Sequence, residues 1–178
     1  MHPSPFPKPP SPFSIRPFWR SDFEQLLRID RVSFKNPWGR REFEAALHAK
    51  DVTMLVAHKH LALFGFIVMQ LWPKHVSIWN MAVEPEQRRR GVGAALVDRA
   101  KALGLGKGRE LLKVDVREHD LASQLFFKAQ GFRAVHLEKE TCIADPAIAF
   151  EFHRLPDGVD VLKSILEGDG RTIAKEVA

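Results

Sequence analysis

Residues 77–100 read Ser77-Ile78-Trp79-Asn80-Met81-Ala82-Val83-Glu84-Pro85-Glu86-Gln87-Arg88-Arg89-Arg90-Gly91-Val92-Gly93-Ala94-Ala95-Leu96-Val97-Asp98-Arg99-Ala100. The run up to Val83 predicts a strand, Glu84-Pro85 a turn, Arg88–Gly93 a basic glycine-containing loop, and the residues from Gly91 onward a helix. That order builds an anion site. The first N–H groups of a helix lack internal partners and carry the positive end of its dipole. Gly91 and Gly93 have no Cβ, so a phosphate can approach the backbone closely. Arg88, Arg89 and Arg90 supply charge around it. A diphosphate-bearing ligand is the natural guest.

Upstream of this stretch, Phe13–Phe18 reads as a strand. Ser21-Asp22 suits the cap of a helix whose Phe23, Leu26 and Leu27 share a face. Asn36-Pro37-Trp38-Gly39 breaks the chain, and Arg40–Ala49 resumes as a helix carrying Phe43, Ala46 and Leu47. Val52–Ala57 and Leu61–Leu71 suggest a hairpin, with His58 and His60 solvated at its turn, and His75–Val83 follows as a strand. The helix from Gly91 places Val92, Ala95, Leu96, Ala100 and Leu103 at helical spacing and stops in Leu103–Gly108. Gly104-Leu-Gly106-Lys-Gly108 looks like a dinucleotide fingerprint, but it follows a helix and precedes a strand, the reverse of the required context. Leu111–Val116 reads as a strand. A helix over Asp120–Gln130 puts Leu121, Leu125, Phe126 and Ala129 on one side and ends at Gly131. Phe132–Lys139 and Ala147–Arg154 read as a closing antiparallel pair. The expected class is α/β (α+β), a mixed sheet with helices on both faces.

Composition fits one globular core: the chain has 178 residues, of which 45% are hydrophobic and 28% charged. Residues 1–12 are half proline and lack the apolar stretch of a secretory signal, so a disordered or polyproline-like leader is expected there. The folded domain is expected over 13–155, with a polar tail over 156–178 that could hold a short helix at Val159–Leu166. The longest apolar run, Leu61–Met69, is far too short for a membrane span. One cysteine, Cys142, excludes an internal disulfide and a multi-cysteine zinc site, and fits a reducing cytoplasm. The eight histidines show no paired metal spacing, so no metal is expected. The net charge of +5 admits nucleic acid as a partner. However, a phosphate-bearing ligand already accounts for Arg88–Arg90, and no aromatic-interleaved basic stripe appears, so neither nucleic acid nor membrane is the expected partner. An anionic or ribosome-bound protein would fit the charge equally well.

Arg88-x-x-Gly91-x-Gly93 after Met81-Ala82-Val83 resembles the acetyl-coenzyme A loop of the GNAT acetyltransferase superfamily. The Val83-x-Pro85 turn and the amphipathic helix after the loop strengthen the likeness. So does a second motif, formed by Leu111–Val116 with Arg117, the Asp120–Gln130 helix and Gly131-Phe132. The resemblance covers roughly 13–155, with its specific motifs between 77 and 132. It implies a mostly antiparallel GNAT-like sheet, acetyl-CoA as cofactor and a primary amine as acceptor. It also implies that Met81, Ala82 and Val83 contact the acetyl and pantetheine groups through their backbone. Arg88, Arg89, Arg90, Gly91, Val92, Gly93 and Ala94 would hold the diphosphate, and Asp120 and Phe127 would reach the cofactor from the last helix.

Acetyl transfer from a thioester to an amine needs a base, stabilisation of the carbonyl oxygen and a tolerated thiolate. The chain is similar to the bacterial branch that acetylates ribosomal-protein alanine N-termini. A glutamate serves that branch as base at the position of Asp115. Asp115 is one methylene shorter and would work through water, or it is an outward strand carboxylate paired with Lys113 or Arg117. Glu84 is the other candidate base. Phe34-Lys-Asn-Pro37-Trp38 resembles the branch's Phe-x-x-Pro-Trp element, which would line the substrate entrance; packing of Phe34 and Trp38 into the core fits the residues equally well. Asn80 either faces the substrate or pairs with a neighbouring strand. The chain also departs from the pattern. Asp120 replaces an asparagine, and Phe127 replaces the tyrosine that often protonates the thiolate. Thr141 and Cys142 fall near a tyrosine pair, and the chain has no tyrosine at all. The acceptor is therefore expected to be a protein N-terminus or a small amine, with an acyl-CoA-binding module of little catalysis as the reading from another class.

Overall fold

The computed structural model describes residues 12–106, 108–138 and 147–154; the proline-rich leader, Thr141, Cys142 and the polar tail lie outside them. The described elements follow the order β1 (Ser14–Pro17), α1 (Phe23–Ser33), α2 (Arg40–His48), β2 (Val52–Lys59), β3 (Ala62–Leu71), β4 (His75–Val83), α3 (Val92–Gly104), β5 (Leu111–Arg117), α4 (Leu121–Ala129), β6 (Arg133–Glu138) and β7 (Ala147–His153). The strands form one sheet in the order β1-β2-β3-β4-β5-β7-β6. Every neighbouring pair is antiparallel except β4 and β5. A parallel pair needs a crossover, and α3 supplies it. No helix among the described residues is long and apolar enough to cross a membrane.

Each face of the sheet carries its own apolar core. On one face, Leu96, Val97 and Ala100 of α3 and Phe127 of α4 pack on Ile67, Met69, Val76, Leu112 and Val114. On the other, Leu26 and Ile29 of α1 and Phe43 and Ala46 of α2 cover Met54, Val56, Phe66 and Val68. The hydrophobic effect thus holds two helix layers against a shared sheet.

Several details depart from the sequence reading. Asp22 stands at the N-cap of α1, at the end of a 3-10 turn over Arg20–Asp22, but its side chain bonds to no N–H of that helix. Its carboxylate takes a fork of hydrogen bonds from Arg16, at 2.7 and 2.8 Å, tying β1 to the start of α1. Leu47 of α2 and Leu103 of α3 sit at the solvent edge, while Val97 of α3 is buried. The expected apolar side of α4 is split: Phe126 packs on the core, while Leu121 is 63% exposed and Leu125 57%. The sheet instead takes the Phe127 face, because the Phe127 ring meets Phe126 and Phe132 edge-on at 5.1 and 5.2 Å.

Candidate active site

Two irregularities in β4 create the site. The first is a bulge: Val68 of β3 stands opposite Asn80 and Met69 opposite Ile78, leaving Trp79 as the extra residue. One extra residue reverses the inward–outward phase of the strand. Before the bulge, Val76 and Ile78 face the α3 core. After it, Met81 packs on that core, while Ala82 joins the α1–α2 core. Asn80 turns the same way as Ala82, onto α1. The second irregularity is that β4 and β5 pair only from His75↔Leu111 to Ile78↔Val114. Beyond Ile78 the two strands have no shared ladder, so among the described residues the β4 edge from Trp79 to Val83 lacks a partner strand on that side.

A cavity occupies this gap. Its walls come from Phe34, Asn36 and Trp38 between α1 and α2, from Trp79, Asn80 and Met81 on β4, from Asp115 and Arg117 on β5, from Asp120 and Ser123 at the start of α4, and from Phe127 near its end. Seven of the sequence candidates therefore meet around one space: Phe34, Trp38, Asn80, Met81, Asp115, Asp120 and Phe127. Its lining is drawn from both faces of the sheet, so two reactants could enter from opposite sides.

The individual side chains refine the expectations. Phe34 and Trp38 line the cavity and also pack on the α1–α2 core. Trp38 meets Phe43 edge-on at 5.1 Å. Asn80 pairs with a helix rather than a strand: its Nδ2 donates to Asp30 Oδ1 at 2.9 Å. Lys113, one of the two partners suggested for Asp115, forms a salt bridge with Glu151 of β7 at 3.0 Å. That partnership, together with His153, holds the Glu151 carboxyl below its ordinary value despite the opposing effect of burial. Glu84, the other candidate base, is ion-paired with Arg28 at 2.5 Å and does not line the cavity. Asp120 is the N-cap of α4, accepting from Ser123 N at 3.1 Å and Ser123 Oγ at 2.7 Å. Phe127 lines the cavity from within the core.

The basic loop lies at the start of α3, beyond the β4 end of this gap. Gly91 is the N-cap, in the left-handed region at φ +82, and open space lies where its Cβ would stand. Gly93 is small for a different reason: a Cβ there would come within 3.2 Å of the Phe126 ring and 3.4 Å of Met81 Cε. Arg88 turns back on the fold, donating from Nε to Val83 O at 3.0 Å and from Nη2 to Ser33 Oγ at 3.2 Å. Arg89 holds a left-handed φ of 61, the kind of backbone strain found at ligand loops. Among the described residues, no three His, Cys, Asp or Glu side chains are grouped to hold a metal.

The sequence reading missed Asp30 and Trp79. Asp30 sits on an amphipathic helix where a carboxylate reads as solvated, and no glycine or proline marks the bulge at Trp79.

Known proteins resemble this chain in sequence and fold. The chain is 25% identical over 127 residues to a candidate [ribosomal protein bS18]-alanine N-acetyltransferase of Bacillus subtilis, a match covering 71% of this chain and 84% of that protein. The crystal structure of the ribosomal-protein-S18-alanine N-acetyltransferase from Escherichia coli superposes with a TM-score of 0.70 at 18% identity, covering 83% of this chain and 99% of that one. Arabidopsis thaliana NAA60 in complex with acetyl-CoA superposes with a TM-score of 0.68 at 19% identity, covering 79% and 98%. The profile of the Acetyltransferase (GNAT) family matches residues 23–132, more than half of the sequence, and the chain belongs to that family.

Proposed function

We propose that this acetyltransferase moves the acetyl group of acetyl-CoA to a protein N-terminal amine, by direct attack while both substrates are bound. The reaction class and the donor follow from the family. The observation that supports the finer reading is the gap between β4 and β5, with one cavity lined from both faces of the sheet. Bound acetyl-CoA would supply an activated thioester. The residues present suit it: the N–H groups of Val92, Gly93 and Ala94 open the helix, and nothing crowds the side of Gly91 that a diphosphate would face. Arg89 and Arg90 would add charge, while Arg88 braces the loop. Along the β4 stretch Met81–Val83, Met81 would offer its backbone groups to the pantetheine chain and to the oxygen on which charge develops, while Ala82 pairs with Phe66 of β3 and the Val83 carbonyl also accepts from Arg88. Asp115, at the cavity wall, would take the amine proton through a water. Asp120 would act mainly by fixing the start of α4. Phe127 has no proton to give, so the thiolate would leave unaided by a side chain; a thiol pKa of about 8–9 allows this at a reduced rate.

Phe34 and Trp38 would form the wall on the acceptor side. The bS18-alanine N-acetyltransferase among the relatives favours a protein α-amine, in the cytoplasm where that class of substrate is made. Isotopically labelled acetyl-CoA added with the purified protein to a cell extract tests the proposal. Label is expected on the α-amine of a protein. Label confined to a small amine would replace this reading with a small-molecule acetyltransferase. Cofactor binding with no labelled product would leave an acyl-CoA-binding module.

A further inference from the structure

Directly behind the cavity wall lies a buried acid. Asp30, on the inner face of α1, has none of its surface exposed, and its Oδ2 has no hydrogen-bond partner. Leaving a polar atom unmatched in the interior costs free energy that an aliphatic residue would not. Its other oxygen, Oδ1, holds Nδ2 of Asn80. The Trp79 bulge turns Asn80 to this acid, and Asn80 also lines the cavity. An ionised carboxylate only accepts hydrogen bonds, so it binds the NH₂ end of the amide and leaves the carbonyl end for the cavity.

We propose that Asp30 is a positioning residue for acetyl transfer: by holding Nδ2 of Asn80, it presents the Asn80 carbonyl oxygen to the cavity as the acceptor for an N–H of the incoming amine. This role rests on the acetyl-transfer reading above. A primary amine that has lost its extra proton keeps two N–H bonds and one lone pair. Donating one N–H to Asn80 fixes how the lone pair is aimed. A protonated Asp30 both donates and accepts, so it would hold the amide in either sense. In the reversed sense, the Asn80 NH₂ group would confront the amine donor to donor. Burial raises Asp30 to about 6, against the hydrogen bonds from Asn80 on β4 and the Trp38 backbone, with the charge of Glu42 on α2 adding to the rise. Orientation of the amide is therefore lost at mildly acidic pH.

Two measurements test this. The first needs no turnover: NMR of side-chain amides, with the Asn80 signal identified by its loss in Asn80→Ser. In the wild type that signal should titrate with a midpoint near 6, and in Asp30→Asn it should stay flat. A wild-type signal that does not titrate would overturn the proposal. The second uses acetyl-CoA and a library of short peptides with free N-termini, with wild type, Asp30→Asn, Asn80→Ala and the double variant. Asp30→Asn should lower kcat/KM for peptide about tenfold, the scale of one hydrogen bond, and remove the part of the acidic limb whose midpoint lies near 6, leaving the part set by protonation of the amine, with acetyl-CoA affinity unchanged. In the Asn80→Ala background, Asp30→Asn should add nothing. Equal losses in both backgrounds, or a parallel loss of acetyl-CoA affinity, would make Asp30 merely structural and overturn the proposal. A wild type that acetylates no peptide would sink the acetyl-transfer reading and this role with it, while the amide titration would still report whether the pair exists.

Discussion

Asp115 stands on β5 between Lys113 and Arg117 and lines the cavity. If it removes the amine proton, Asp115→Asn should keep the shape and slow turnover most at mildly acidic pH, where the amine is still protonated. An unchanged pH–rate profile in that variant would take Asp115 out of the mechanism. Phe127 carries the opposite kind of prediction. Its ring both packs between Phe126 and Phe132 and borders the cavity. Phe127→Tyr would place a donor beside the departing thiolate, and turnover should rise by up to about 10²-fold, the low end of general-acid effects. If product release limits the wild type, only single-turnover chemistry should quicken. No acceleration in either measurement means that Phe127 serves packing alone. At this scale the chemistry-bearing residues were legible because their types and spacing are local. Asp30 was not, because its importance comes from a contact with Asn80, fifty positions along the chain.

Among the elements, β4 and the loop after it decide the site. The strand, the loop and α3 were legible from residues 77–100, since apolar pattern, turn chemistry and glycine placement are sequence signals. The bulge was not, because an extra residue is defined by its partner strand. The outward face of α4 was missed for a related reason: Leu121 and Leu125 share a helical side, but where the sheet lies decides which side is buried. Gly91 gives the sharpest test. Its φ of +82 means that Gly91→Val strains the backbone as well as crowding a diphosphate, so the change alone does not leave the fold untouched. Gly108, at φ +85 with open space around its Cβ position, sits before β5, away from the loop. Gly108→Val carries the same strain and serves as the control. Each substitution should cost about 1–2 kcal/mol of stability, but only Gly91→Val should abolish acetyl-CoA binding, read by calorimetry. Equal affinities in the two variants would move the diphosphate elsewhere.

Across the whole molecule, buried acids set the pH dependence of stability with opposite signs. Asp22 and Glu151 each remain below their ordinary values although burial, the largest influence on each, pushes upward; hydrogen bonds from Arg16 and the Trp19 N–H, and from Lys113 and His153, outweigh it. Their stabilisation is present above the unfolded carboxylate value and is lost as pH falls through the folded one. Asp30 is raised from 3.8 to about 6. The folded protein therefore binds its proton more tightly than the unfolded chain, and stability from this group declines as pH rises from 3.8 to about 6. Asp30→Asn should gain on the wild type by up to about 3 kcal/mol between the acid and neutral ends of that window, measured by denaturant unfolding. A constant difference would mean that Asp30 does not change its charge there. The sheet with two helix layers was legible from the alternation of strands and helices, whereas the opening between β4 and β5 emerged only from where their ladder stops. That opening is the centre of the account, as the place where donor and acceptor meet. The most direct test is mass spectrometry of peptides carrying a free α-amine and an internal lysine, incubated with the protein and acetyl-CoA. Acetylation of the α-amine and none of the lysine is expected, with no product from peptides blocked at the N-terminus. Modification of the lysine alone, or no acetylated peptide from a protein that binds acetyl-CoA, would contradict it.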